Sequence, residues 1–289
     1  MRFSKILCPV DFSPGSQQAL RVATRLANEA NAELVVVHAW YVPAIAYSEF
    51  TFPADAIQGM ADDANRALET TIAEAKRAGA KQISGKLLTG EPWSRIVGEL
   101  DEHGYDLCVI GTHGRTGLAR VLLGSVAEKV VRHSPCSVLA VRPEGEVKPF
   151  KHPLVPTDFS ASAEHALEMA VELAPEAITL LHVIELPVAT GRTAVPNLER
   201  SLDESAMIAL AEAANRLGGK ARGSITTRTR IGYPGAQTLA ELDDDRSIDL
   251  VVMGTHGRTG VARALLGSVA EKVVRHARCP VLVARKVRS

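Results

Sequence analysis

At 289 residues the chain is about twice the usual length of one domain, so two hydrophobic cores are expected. Hydrophobic residues make up 46% and charged residues 23%, which is typical of a globular protein and excludes a disordered one. The 33 Lys and Arg equal the 33 Asp and Glu, so there is no net positive charge to bind nucleic acid or an anionic membrane.

Predicted strands and helices alternate along the first half. Residues 6–10 form an apolar strand, and residues 13–30 an amphipathic helix with Ala19, Val22 and Leu26 at helical spacing. The following elements are a strand at 32–40, a helix at 56–77, a strand at 82–88, a helix at 92–102, a strand at 106–111, a helix at 126–133 and a strand at 137–142. No run approaches the roughly 18 apolar residues of a membrane helix and no signal peptide is recognised, so we predict a cytoplasmic protein without membrane contact.

The second half repeats the first. "PVDFS" near the start returns as "PTDFS", "LVVVHAW" corresponds to "ITLLHVI", and "GTHGRTGLARVLLGSVAEKVVRH" returns as "GTHGRTGVARALLGSVAEKVVRH". Residues 142–153 between the halves are rich in Pro, Gly and charge and read as a linker. We therefore predict two domains, residues 1–146 and 147–289.

Strict alternation of strand and helix predicts an α/β fold, here two tandem doubly wound domains that each have a five-stranded parallel sheet. The continuous apolar strands belong in the middle of each sheet, and the polar third strands, such as "SITTRTRI", at a margin. The ligand crevice is expected where the winding reverses, between the carboxyl ends of the first and fourth strands. The last strands, "SVLAVR" and "PVLVARK", are expected to dock the halves as an internal pseudo-dimer.

The four cysteines form no CxxC pair and have no metal-type spacing with histidine. The prediction is that Cys8, Cys108, Cys136 and Cys279 are buried free thiols in a reducing compartment, and that the protein holds no metal site of its own.

The repeated glycine stretch predicts an anion site. Gly111, Gly114 and Gly117 let the backbone after the fourth strand turn tightly. Nine residues separate Gly114 from the pair Gly124 and Ser125, which precedes a helix with Ser125 as its expected N-cap. A helix N-terminus offers N–H donors and partial positive charge to a phosphate. A turn and a cap without a ligand is the alternative. The spacing is neither G-x-G-x-x-G nor a P-loop, and the preceding buried strand argues against an RNA-binding KH loop.

These glycines, with the aspartate that closes the first strand of each half, resemble the ATP-binding universal stress proteins over nearly the whole chain. The resemblance implies an adenine-nucleotide site in each half, with a fold like that of the adenine nucleotide α hydrolases. The aspartate and nearby apolar residues would face the base and ribose, and the later glycines and serine would hold the phosphates. The implied residues are Pro9, Asp11, Ala39, Ile110, Gly111, Gly114, Gly124, Ser125 and Val126 in the first half, and Pro156, Asp158, Val183, Met253, Gly254, Gly257, Gly267, Ser268 and Val269 in the second.

Three further pairs of residues, one from each half, keep two interpretations. His113 and His256 in the glycine stretch are either loop residues or neighbours of a phosphate. His38 and His182, near the ends of the second strands, either line the adenine pocket or form local hydrogen bonds. Arg115 and Arg258 in the glycine loop either bind phosphate or lie in solvent.

The resemblance implies a regulatory, stress-response protein that binds ATP, or AMP or ADP, together with Mg²⁺. The alternatives are an enzyme that hydrolyses ATP slowly or transfers its phosphoryl group, and a nucleotide-free scaffold. An efficient enzyme would need a Mg²⁺ carboxylate and a water-orienting group, and beyond Asp11 and Asp158 the motifs offer none. Family habit also implies a homodimer.

Overall fold

The computed structural model describes residues 3–41, 54–112, 123–173, 176–186, 198–217, 221, 223–255 and 266–286. The chain divides into two compact units, the first ending at Val147 and the second beginning at Lys148. Each unit is an α/β domain with five parallel strands, as the alternation of strand and helix predicts.

The first unit contains five strands and four helices in its described residues. They are β1 (Lys5–Pro9), α1 (Pro14–Ala30), β2 (Glu33–Trp40), α2 (Ala54–Arg77), β3 (Ile83–Thr89), α3 (Pro92–His103), β4 (Leu107–Gly111), α4 (Ser125–His133) and β5 (Ser137–Val141). The strands are parallel and lie in the order β3-β2-β1-β4-β5, which confirms the marginal third strand.

The described residues of the second unit repeat this architecture. They form β6 (Pro153–Pro156), α5 (Ala161–Leu173), β7 (Ala177–Ile184), α6 (Leu198–Arg216), β8 (Ser224–Ile231), α7 (Pro234–Asp244), β9 (Leu250–Gly254), α8 (Ser268–His276) and β10 (Val281–Ala284). Again the strands are parallel, in the order β10-β9-β6-β7-β8.

The winding reverses between β1 and β4. These two strands pair only through Ile6 with Leu107 and Leu7 with Cys108, so the pairing stops two residues before β1 ends. In the second unit β6 and β9 pair through Pro153 with Leu250 and Leu154 with Val251, which also leaves the carboxyl ends unpaired. An opening at the carboxyl ends of the strands follows, as expected for a doubly wound sheet.

The edge strands carry polar residues because they form ion pairs with the helices that follow them. Glu99 of α3 is only 5% exposed, and its carboxylate accepts hydrogen bonds from Lys86 Nζ of β3 at 2.6 Å and Tyr105 Oη at 3.0 Å. Burial by itself raises the pKa of Glu99, but these two hydrogen bonds and the charges of Lys86 and His103 together outweigh it and leave the pKa below its usual value. In the second unit the buried Glu241 pairs with Arg228 and Arg230 of β8.

All four cysteines are buried, and burial raises the pKa of the Cys8 and Cys108 thiols above the ordinary value. A raised thiol pKa leaves little reactive thiolate at neutral pH. Within the described ranges no helix is long and apolar enough to cross a membrane.

Candidate functional site

A cavity of about 650 Å³ opens at the carboxyl ends of β1, β2 and β4 in the first unit. It is bounded by the last residues of these strands, the start of α1, one face of α2 and the start of α4. Eight residues that the resemblance implies line this one cavity: Pro9, Asp11, Ala39, Ile110, Gly111, Gly124, Ser125 and Val126. The structure therefore brings together residues that lie up to 117 positions apart in the chain.

The rest of the glycine stretch lies outside the described residues. The expectations for Gly114, Gly257, His113, His256, Arg115 and Arg258 therefore remain as the sequence states them.

Asp11 is held in a tight turn between β1 and α1. Its Oδ1 accepts hydrogen bonds from the Ser13 backbone N–H at 3.1 Å and from the Ser13 hydroxyl at 2.5 Å. Ser13 Oγ in turn accepts a hydrogen bond from the N–H of Ser16 at 3.2 Å and so caps α1. Phe12, between Asp11 and Ser13, has a left-handed backbone with φ of 66°. The Asp11 carboxylate is thus fixed where β1 ends.

His38 forms the local hydrogen bond of one interpretation and also lines the cavity, whereas its contact with adenine stays a prediction. Its Nδ1 lies 2.7 Å from the carbonyl oxygen of Val10, and its ring packs on Phe12 with 4.4 Å between the ring centroids. The side chain is 7% exposed and lines the cavity. A local hydrogen bond and a place in the cavity wall therefore occur together.

The N-cap of α4 is Gly124, one residue before the Ser125 that the sequence analysis expects. Gly124 has φ of −59° and ψ of 142°, and Ser125 is the first helical residue. Gly267 caps α8 in the same way, with Ser268 as the first helical residue. The expectation of serine caps was wrong, because the serines already have helical geometry. A glycine cap has no side-chain oxygen to accept from the first N–H groups of the helix, which suits an external anion.

The base of the glycine stretch is closed by a backbone hydrogen bond in each unit. The N–H of Gly124 donates to the carbonyl of Thr112 at 2.7 Å, and the N–H of Gly267 donates to the carbonyl of Thr255 at 2.9 Å. The helix N-terminus therefore starts directly beside the end of the fourth strand of its unit.

Gly111 has a packing role that the sequence did not reveal. A Cβ on Gly111 would lie 2.8 Å from both C and O of Gly15 and 3.1 Å from the N of Ser16, all backbone atoms at the start of α1. In the second unit a Cβ on Gly254 would meet the backbone C of Ser162 at 2.8 Å. These two glycines let a central strand approach the first helix, besides any approach to a ligand.

The described residues of the second unit repeat the turn around Asp158. Its Oδ1 accepts a hydrogen bond from the N–H of Ser160 at 3.1 Å, and Phe159 has φ of 64°. His182 Nδ1 lies 2.8 Å from the carbonyl oxygen of Thr157, with its ring centroid 4.7 Å from that of Phe159. The other implied residues lie at strand ends or at the start of α8: Pro156 in β6, Val183 in β7, Met253 and Gly254 in β9, and Gly267, Ser268 and Val269 at α8.

Part of the cavity wall was missed in the sequence. One face of α2 contributes Met60, Ala64 and Ala67, and Trp40 at the end of β2 also lines the cavity. The spacing of positions 60, 64 and 67 is that of one helical face and could have predicted an apolar face on this helix. It does not predict which strand ends that face covers. Among the described residues no group of three or more His, Cys, Asp or Glu is placed to hold a metal ion.

Comparison with known proteins agrees with the repeat. The model of the universal stress protein family matches residues 2–142 and again residues 149–285. The universal stress protein Rv2623 of Mycobacterium tuberculosis is 28% identical over 97% of this chain and 96% of its own length.

Two solved structures extend this comparison. A universal stress protein from Archaeoglobus fulgidus is 23% identical, covers 97% of this chain and 98% of its own, and has a TM-score of 0.70. A universal stress protein in complex with cAMP is 29% identical over 50% of this chain and 100% of its own, with a TM-score of 0.40. The two matches to the family model span nearly the whole sequence, so this chain belongs to the universal stress protein family as a tandem of two such domains.

Proposed function

We propose that each domain binds one adenine nucleotide and that the protein is a nucleotide-dependent regulator in the stress response. ATP with Mg²⁺ is the proposed ligand, with AMP and ADP as the other nucleotides to test. The observation that carries the proposal is the first-domain cavity, which has apolar walls, the Asp11 carboxylate in a fixed turn, and a glycine-capped helix N-terminus.

The apolar part of the cavity suits a flat heterocyclic base. Pro9, Ala39 and Ile110 come from three adjacent strands and present aliphatic surface at their carboxyl ends. A cavity volume of about 650 Å³ lies within the range of pockets that enclose ligands of this size. Burial of a base against these side chains would supply the main apolar contribution to affinity.

The polar part of the cavity suits a ribose and a phosphate chain. The fixed Asp11 carboxylate is an acceptor for ribose hydroxyls, and such charge-assisted hydrogen bonds are stronger than neutral ones. The N–H groups at the start of α4, near Gly124, Ser125 and Val126, would donate to phosphate oxygens, with the helix dipole adding attraction. In the second domain Asp158 and the start of α8 would do the same.

Binding is proposed rather than efficient catalysis. The other carboxylate that lines the cavity in the described residues, Asp63, lies on α2, is exposed, and forms an ion pair with Arg66. It belongs to the α2 wall, whereas the phosphates are proposed to lie at α4. A cytoplasmic location, docking of the two domains and pairing of two chains remain predictions.

Nucleotide analysis of freshly purified protein tests the proposal. The protein is denatured and any released nucleotide is identified by chromatography, and the stripped protein is then titrated with Mg²⁺-ATP. Both tryptophans, Trp40 and Trp93, lie in the first half and Trp40 lines the cavity, so tryptophan fluorescence reports this site. We expect bound adenine nucleotide, or saturable quenching on titration. Absence of both, with the fold intact by circular dichroism, would refute the proposal.

A further inference from the structure

The two domains share a strained turn that the nucleotide motif does not account for. Phe12 and Phe159 follow the site aspartates and have φ of 66° and 64°. A left-handed backbone is unfavourable for a bulky residue without a reason in the surrounding structure. Such outliers persist where neighbours hold them, and they concentrate at functional sites.

In each domain one histidine holds this turn from the neighbouring strand. His38 Nδ1 is 2.7 Å from the Val10 carbonyl oxygen and His182 Nδ1 is 2.8 Å from the Thr157 carbonyl oxygen, the carbonyls that immediately precede Asp11 and Asp158. A carbonyl only accepts, so Nδ1 carries a proton and is the donor in this hydrogen bond.

The same ring also supports the phenylalanine. The ring centroids are 4.4 Å apart with 37° between the planes for Phe12 and His38, and 4.7 Å apart with 35° for Phe159 and His182. The histidine therefore contacts the residue before the aspartate by a hydrogen bond and the residue after it by ring packing. The aspartate lies between two points that are both fixed by one side chain.

We propose that His38 and His182 are positioning residues that hold the Asp-Phe-Ser turn and thereby orient Asp11 and Asp158 towards the ribose of a bound nucleotide. The inference rests on the proposed function and adds a part of the site that sets selectivity for ribose hydroxyls. The histidine does not need to touch the ligand, because it acts through the orientation of the aspartate. Its loss should therefore weaken ribose-dependent binding more than base or phosphate binding.

The test compares ATP with 2′,3′-dideoxy-ATP, which lacks the ribose hydroxyls, by tryptophan fluorescence of the full chain. Two substitutions separate the contacts: His38→Phe keeps a ring and removes the donor, and His38→Asn removes the ring and keeps an N–H donor. We expect wild-type protein to prefer ATP by at least about tenfold. His38→Phe should lower this preference to about threefold or less, and His38→Asn should retain more of it.

Asp11→Asn supplies the matched comparison. If His38 acts through Asp11, the double variant should lose no more selectivity than Asp11→Asn alone, because the two losses are not additive. Should His38→Phe fail to fold, His182→Phe tests the same geometry in the second domain, where the ring is more exposed. There the Kd values come from calorimetry.

The outcomes separate this inference from the proposed function. If His38→Phe weakens ATP and dideoxy-ATP equally, the histidine is only structural and the inference is wrong while nucleotide binding stands. If wild-type protein binds both nucleotides equally well, no ribose selectivity exists and the inference is overturned. If it binds neither nucleotide, the proposed function fails and the inference fails with it.

Discussion

Replacing Gly111 by alanine should destabilise the first domain even in the absence of a ligand. The added Cβ would lie 2.8 Å from C and O of Gly15, whereas carbon atoms in normal contact are about 3.5 Å or more apart. The start of α1 would therefore have to move by roughly 0.7 Å, and no side-chain rotation relieves the contact because the neighbours are backbone atoms.

Overpacking of this kind costs about 1–3 kcal/mol. For a domain of this size each kcal/mol lowers the melting temperature by about 2–4 °C, so we expect a decrease of about 2–12 °C in ligand-free protein. The assay is thermal unfolding followed by circular dichroism and calorimetry. The matched control is Gly98→Ala on α3, where the nearest heavy atom is 3.9 Å away and alanine should raise helix stability by about 0.5–1 kcal/mol.

Two results would refute this reasoning. An unchanged melting temperature for Gly111→Ala would show that the strand and helix do not approach each other as described. A loss of ATP affinity at unchanged stability would assign Gly111 to ligand approach alone, as the glycine motif by itself indicates.

Three further predictions concern the site, an ion pair and the thiols. Gly124→Val should lower first-site affinity for Mg²⁺-ATP by at least about tenfold, yet change the ligand-free melting temperature by only about 2 °C, because φ of −59° suits any residue; a melting decrease above about 5 °C would contradict this. The lowered pKa of Glu99 means that this group stabilises the fold above its unfolded-state pKa, and that this contribution is lost as the pH falls through the lower folded-state pKa. Lys86→Met, which removes the ion pair, should therefore lower the free energy of unfolding in urea by about 1 kcal/mol at pH 7 and by less in strong acid. A cost independent of pH would refute that account. The four thiols, including Cys8, should react slowly with a thiol reagent in native protein and all together in denaturant; rapid native reaction would show an exposed thiol.

The strands and helices could be predicted because their signals are local. Continuous apolar runs at β4 and β9 and mixed polarity at β3 and β8 reflect burial on both faces or exposure at an edge, which places the strands in the sheet. The sequence repeat aligns the two halves and predicts an aspartate at the end of the first strand in each half. The expected edge position of the third strand and the switch between the first and fourth strands agree with the structure.

Features that depend on distant neighbours could not be predicted. Position 111 needs glycine because it lies against the backbone of Gly15, 96 residues earlier in the chain. No pattern in the sequence around Gly111 indicates this contact. The predicted N-cap of α4 was one residue too late, because Gly124 and Ser125 are both acceptable N-caps and only the backbone angles distinguish them. The hold of His38 on the turn likewise requires the register of β1 with β2.

The central claim is that each domain binds its own nucleotide. Calorimetric titration of nucleotide-stripped protein with Mg²⁺-ATP tests it most directly, with Gly124→Val and Gly267→Val as single-site variants. We predict a stoichiometry of about two per chain in the wild type and about one in each variant, since each glycine caps the helix of its own domain. A stoichiometry of one in the wild type, unchanged by one of the substitutions, would contradict the claim and leave one copy of the motif as only a turn and a helix cap.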